Sequence, residues 1–433
     1  MRIKRRFLSV ASVFLCLILI LSGCGGTKSG SSTSSTKPVT ITFLHKWPED
    51  SNMAFFKQVI KSFEAKHPNV TIKMEAVGDQ DIKDKLRVMV GGTCPDIFFS
   101  WSGEFANKFV RAGKVLDFTP YFTKDSDWQN SFLQAALKRG SFNDKYYGIP
   151  MRLDLQFFIY NKKIFQNYGL SVPKTWNEFL NVCKTLKQHN VTPILFGNQQ
   201  AWAGAHYITA LNSMYVPASV KSKDDAPATG SFTNENYLKA LNTFKNLETS
   251  GYMNTNVNST TFYQVREIFY TGKGGMFLDV LSDFSKYEQN MGKGNWGYFR
   301  FPIDNTGSGD QNFIVGGADM FMVSKQCKNP DVAVEFLKFM TNKENAANFA
   351  KTTGYPIPVK GAVNKQNSLS EVVDAMNYIS NVDTIEEWLD TSLESRVADK
   401  YLTSLQDIFN NKSTSDALKE IQSTAKTVQS DYK

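Results

Sequence analysis

Cysteine and histidine are scarce in this chain of 433 residues, which holds five of the first and four of the second. Beyond the N-terminal region the cysteines are Cys94, Cys183 and Cys327, an odd set with no CxxC spacing. That excludes a disulfide framework and a cysteine-based zinc site. The histidines (His45, His67, His189 and His206) form no HExxH pair, so no metal centre and no cofactor is expected. Long runs of one charge are missing as well. The formal net charge is +8, but Arg2, Lys4, Arg5 and Arg6 crowd four of the positive residues into the extreme N-terminus. Elsewhere the two signs are interspersed, as on an ordinary solvated surface, and nucleic-acid binding drops out. There is no nucleophile elbow and no serine-histidine-aspartate cue for covalent catalysis.

What is present begins with the basic head, followed by the apolar run Phe7–Leu21 and then Leu21-Ser22-Gly23-Cys24 with two glycines behind it. A basic head, a short apolar core and small residues at a cut site describe a secretory signal. The run falls short of the roughly 20 residues that cross a hydrocarbon core. Its last residues resemble the lipobox of bacterial lipoproteins, which implies residues 1–23 as the signal peptide and Cys24 as the lipid-attachment atom. Stable anchoring needs more than one acyl chain. Residues 24–38 are dominated by Gly, Ser, Thr and Lys and read as a flexible tether.

The remaining length, about 400 residues, allows two domains. Val39, Ile41 and Phe43 alternate with polar residues as in a strand, and Met53, Phe56, Ile60 and Phe63 follow at helical spacing. Val70–Ala76 alternates again, Ile82, Leu86, Met89 and Val90 make a second amphipathic helix, and Ile97-Phe98-Phe99 is a buried-strand run. This is a βαβαβ unit on a parallel sheet, whose ligands sit beyond the carboxyl ends of the strands. Thr175 with Glu178 reads as a capping box, and Asn329-Pro330 as a helix start. Most of the 33 phenylalanines belong to the core. Trp128 and Trp296 are assigned there too, since neither has acidic or amide company at a strand end, and so is Trp176, which lies within the first turn of a helix.

Four stretches carry a family resemblance. They are Cys94–Trp101 leading to Ala112–Tyr121; Tyr147–Pro150 with Phe158–Phe165 and Pro173–Phe179; Phe269–Met276; and Val315-Gly316-Gly317 through Ala333–Phe339 to Gly354–Pro358. In this order they resemble the extracellular solute-binding proteins of bacterial carbohydrate ABC importers, the group that includes maltose-binding protein. The resemblance implies an α/β fold of two lobes, each a mostly parallel sheet flanked by helices, joined by three hinge crossings. Residues 39–150 with 304–354 would form the first lobe, and 151–303 with 355–433 the second. The crossings are expected near Pro150–Asp154, Arg300–Asp304 and Tyr355–Pro358. Further implied are a monomer on the extracellular face of the membrane, permease subunits as partners, and an oligosaccharide ligand bound without turnover.

A pyranose presents a face of C–H bonds to aromatic rings and a rim of hydroxyls to charged hydrogen-bonding groups. The candidates are Trp101 with Glu104 and Trp47, in loops after strands, and Arg152 with Asp154 at the first crossing. Trp202 and His206 lie four apart on a helix face. Asp279 follows the Met276 strand, and Trp388 stands where it can replace a tryptophan that many relatives carry after that methionine. His45 by itself reads as a surface residue. Packing roles for these tryptophans and a hinge ion pair for Arg152 and Asp154 stay open. So do two other functions, transport of a non-sugar solute and a secreted glycosidase, whose two carboxylates need a fixed separation that no sequence displays.

Overall fold

The computed structural model describes residues 37–382 and 384–432. The expected signal segment, Cys24 and nearly all of the tether lie outside them. Among the described residues no helix is long and apolar enough to cross a membrane.

The first third folds as the periodicity requires. Strand β1 (Val39–His45) is followed by α1 (Asp50–Lys66), β2 (Val70–Ala76), α2 (Asp79–Met89), β3 (Ile97–Trp101) and α3 (Glu104–Arg111). β1 pairs in parallel with β2 on one side and β3 on the other, so the order is β2-β1-β3. Every residue of β3 is buried because both faces of the sheet are covered.

Two long strands organise the rest. β4 (Ile149–Asn161) and a later strand of eleven residues, Phe313–Val323, pair antiparallel, with a register irregularity between Asp319 and Met320. Between them come α4 (Trp176–Gln188), β5 (Ile194–Leu195), α5 (Trp202–Tyr215), α6 (Glu235–Thr249), α7 (Phe262–Tyr270), β6 (Met276–Val280), α8 (Phe284–Met291) and β7 (Trp296–Phe299). Thr175 and Glu178 close the expected capping box at the start of α4. With Phe313–Val323 as β8, the chain continues through α9 (Pro330–Met340), α10 (Lys343–Thr353), β9 (Thr384–Glu386), a short helix α11 (Leu389–Ser392), α12 (Ser395–Phe409) and α13 (Thr414–Asp431). Pro330 takes the first turn of α9, but Asn329 makes no side-chain cap.

The sheet runs β2-β1-β3-β8-β4-β6-β5, with β9 on β8 and β7 on β4. It is mixed, not mostly parallel throughout. β8 is antiparallel to β3 and β4, and β4 is antiparallel to β6 and β7.

Two hydrophobic cores flank this arrangement. One gathers side chains from Ile41 to Met151, then from Met320 to Ala362. The other holds most of the chain from Leu153 to Val315, and returns from Val372 to Val428. Phenylalanine dominates both. Phe43 meets Phe321, Phe56 and Phe336 edge-on at centroid distances of 4.9, 5.6 and 5.7 Å. Such pairs add about 0.5–1.5 kcal/mol each beyond area burial. Trp128, Trp176 and Trp296 are core residues, as expected.

The chain changes core inside β4 between Met151 and Leu153. The second change falls inside β8, between Val315 and Met320, and not at Arg300–Asp304. Phe301 stacks on Trp176 within the second core. The third change falls after Ala362, because Tyr355, Ile357 and Val359 pack in the first core. Pro150 lies within β4 itself, and an extended strand can pass from one core to the next without any turn.

Candidate functional site

The end of β1, the end of β3 and the first turns of α2 converge from the first core, while α5, α7, β6 and the segment before α12 converge from the second. Between them is a cleft of about 520 Å³. β4 and β8 supply its floor, so the same two strands carry both the change of core and the polar centre of the site.

On the floor, Arg152 Nη2 lies 2.6 Å from Asp319 and 3.3 Å from Asp154. Its guanidinium also sits over Tyr355 at 5.0 Å and Trp47 at 5.6 Å. Burial opposes charge on Arg152, but the two carboxylates outweigh it and drive the guanidinium pKa further up. Asp154 accepts the backbone N–H of Ser282 at 3.0 Å and its hydroxyl at 2.8 Å. Burial still pushes its carboxyl above the ordinary range. Lys46 adds contacts to Asp79 at 3.3 Å and Asp319 at 3.5 Å.

The wall from the second core repeats this pattern. Arg266 pairs with Asp283 and lies 3.8 Å from Asp279, while Lys286 lies 2.5 Å from Asp283. Tyr287 donates its hydroxyl to Asp279 at 2.5 Å. Burial and then the neighbouring Asp283 push Asp279 up to about 7. Asp283 is buried too, but Arg266 and Lys286 hold it below the usual carboxylate range.

Four of the chain's seven tryptophans line the cleft. Trp101 carries Lys46 at 4.5 Å and Lys83 at 5.5 Å over its ring. Trp47 is nearly enclosed by Phe56, Phe99 and Phe321, with its indole N–H free of any protein partner. On α5, Trp202 contacts His206 and Phe262 at 5.2 and 4.8 Å, and His206 stacks on Trp388 at 4.5 Å. Burial, and then Lys83, pushes the His206 pKa down to about 3, so the imidazole is neutral at pH 7. Its Nδ1 has no protein partner. Trp388 reaches the cleft because Gly317 lacks a side chain. A Cβ there would lie 2.3 Å from Glu387 Oε1 and 2.9 Å from the Trp388 ring.

Eight of the nine residues expected at the site therefore share one cleft: Trp47, Trp101, Arg152, Asp154, Trp202, His206, Asp279 and Trp388. Glu104 does not. Gly103, at φ +73°, turns the chain into α3, and the Glu104 carboxylate is taken by Arg111 on that helix. His45 is not a surface residue either. It is fully buried, accepts the Trp47 N–H at 3.2 Å, and burial lowers its pKa to about 4. Sequence reasoning missed Lys46, Asp79, Lys83, Tyr263, Arg266, Asp283, Lys286, Asp319, Tyr355 and Asp390. Two left a signal. Asp319 is the charged residue within the apolar run Phe313–Val323, and Asp390 stands two residues after Trp388. Lys46 and Tyr355 come from the loops after β1 and after α10, and the rest from helical segments that look ordinary in one dimension.

The chemistry is aromatic faces beside carboxylate acceptors, with every cation already engaged. Among the described residues no group of His, Cys, Asp and Glu has the arrangement of a metal site.

Residues 46–347 match the model of the bacterial extracellular solute-binding protein family. The chain is 25% identical to the multiple sugar-binding protein of Streptococcus mutans over 368 residues, covering 81% of this chain and 82% of that protein. It is 23% identical to the diacetylchitobiose binding protein DasA of Streptomyces coelicolor, covering 97% of each. Its fold superposes on a solved chitin oligosaccharide binding protein with a TM-score of 0.81 at 24% identity, over 91% of this chain and 99% of that one.

Proposed function

The chain belongs to the bacterial extracellular solute-binding proteins, and from that premise we propose that it is a receptor which holds an uncharged oligosaccharide in the cleft and delivers it to an ABC importer. The observation that carries this reading is the pairing of four tryptophans with carboxylates that still have acceptor capacity, split between two cores. Rings of this kind cover the apolar face of a pyranose, and carboxylates accept its hydroxyls.

The state of the cations argues against an anionic solute. Lys46, Lys83, Arg152, Arg266 and Lys286 each face at least one carboxylate. A phosphate or uronate would have to displace these partners and leave carboxylates buried without compensation. The same commitment argues against a glycosidase, because Asp154 and Asp279 are already held by Ser282 and Tyr287. The family and the relatives are binding proteins, and we read this chain as a binder, not an enzyme.

Trp101, Trp202, His206, Trp388 and Asp390 are the contacts we assign to sugar, with Arg152, Asp154 and Asp279 fixing the floor. The two cores act as lobes that bend about Arg152, Gly316–Asp319 and the stretch after Ala362. Hinge closure of this kind is a known motion. Cys24 carries the lipid, the protein works as a monomer at the extracellular face of the membrane, and its partners are the importer's permease subunits.

The test is a thermal-shift panel of chito-, xylo- and raffinose-type oligosaccharides with the corresponding uronates and sugar phosphates. A ligand of the native state stabilises it by about 2.7 kcal/mol at one hundred times its Kd. At least one neutral oligosaccharide should raise the melting temperature, and Trp202→Ala should abolish the shift. A panel in which only the anionic members shift the transition overturns the reading.

A further inference from the structure

One face of α2 looks across the mouth of the cleft. Lys83 Nζ lies 3.9 Å from Asp390 on α11, a cross-core pair in which both side chains are mostly covered. One turn further along, Arg87 Nη2 lies 3.3 Å from Asp399 on α12, and there both partners are about half exposed. Two cations on α2 thus face two anions in the Asp390–Asp399 segment of the second core. Positions four apart share a helix face, so Lys83 and Arg87 form two rungs, the inner one bordering the cleft and the outer one clear of it.

We infer that this charge-complementary mouth is an electrostatic latch that holds the two cores together, with Lys83–Asp390 as the rung that also meets the solute. Resting on the reading of the cores as moving lobes, it adds what biases them toward closure. The two cross-core pairs sum along one face of α2 and set the register of the two sides. The outer rung can be removed without touching the cleft. The inner rung reports occupancy, because a solute hydroxyl that bonds to Asp390 enters the space between Asp390 and Lys83.

Dyes at the exposed positions Lys61 and Lys419 of the full chain report the distance between cores by energy transfer. The measurement uses solute-free protein, so it stands apart from the oligosaccharide panel. Arg87→Glu and Asp399→Arg should each shift the population toward longer distances. The ratio of closed to open forms should change by about two- to fivefold, the scale of an exposed ion pair. The charge-swapped double variant R87E/D399R should restore the parent distribution. Raising the salt to about 1 M, where the Debye length is about 3 Å, should open the parent and erase the differences. Circular dichroism checks that each variant is folded. Single variants that keep the parent distance at low salt, or a double variant that stays as open as the singles, overturn the latch.

Discussion

Replacing Arg152 with methionine tests whether the cleft floor is an ion network or merely a polar lining. Arg152 is the cation shared by Asp154 and Asp319, at 3.3 and 2.6 Å. All three side chains are close to fully covered. Removing one partner of a buried pair costs about 3–5 kcal/mol, because the remaining charge stays desolvated and unpaired. Single domains are commonly stable by about 5–15 kcal/mol, so the loss is a large share of the total. The pH dependence carries the sign. In the parent, the Arg152 pKa is raised above its unfolded value, and that contribution is fully present throughout the neutral range. In the variant the Asp154 carboxyl loses its cation, and burial, which already raises its folded pKa above the unfolded range, goes unopposed by Arg152. Stability should then be highest at low pH and fall as pH rises from about 4 through that raised value. Urea unfolding of parent and variant between pH 5 and 8 measures this directly. The deficit should grow with pH, and adding Asp319→Asn should recover much of it. A loss below about 1 kcal/mol, smaller than a buried ion pair demands, or a deficit independent of pH would refute the network.

Glu387 offers a second pH signature. Burial pushes it up to about 7, so its ionisation should drain stability as pH rises from its unfolded value through 7, and Glu387→Gln should flatten the melting-temperature profile across that window. Glu104→Gln should leave oligosaccharide affinity within about twofold by calorimetric titration, well under the tenfold that 1.4 kcal/mol represents; a tenfold loss would put Glu104 back at the ligand. Gly317→Ala should lower both the melting temperature and the affinity, since the new Cβ would meet Glu387 and Trp388 below 3 Å, and an unchanged melting curve would show that the strand yields at no cost. Cys24→Ala should release the protein from the membrane fraction while calorimetric affinity stays the same, and equal retention of mutant and parent would mean that the N-terminal segment is an uncleaved anchor.

Local pattern determined a large part of this protein. Alternation at Val39–Phe43 and Val70–Ala76, helical spacing between them and the apolar run at Ile97–Phe99 specify the βαβαβ unit, because the period states which face of an element is buried and an unbroken apolar run marks β3 as covered on both. The end of β3 brought Trp101 to the cleft for the same reason, since ligands in open sheets collect at strand ends. Tertiary structure alone decided the rest. Whether a strand stays in one core depends on what packs against it far along the chain, so β8 changes core inside a run that is apolar but for Asp319. Lys83, Arg266 and Lys286 sit on helix faces that read as solvated, and they become cleft residues only when a second core is placed opposite. Glu104 shows the reverse. It had the residue type and the strand-end position, yet a left-handed glycine one step earlier turned it toward Arg111. Sequence period records which face of an element is covered, whereas a cleft is defined by the gap between elements that are distant in the chain.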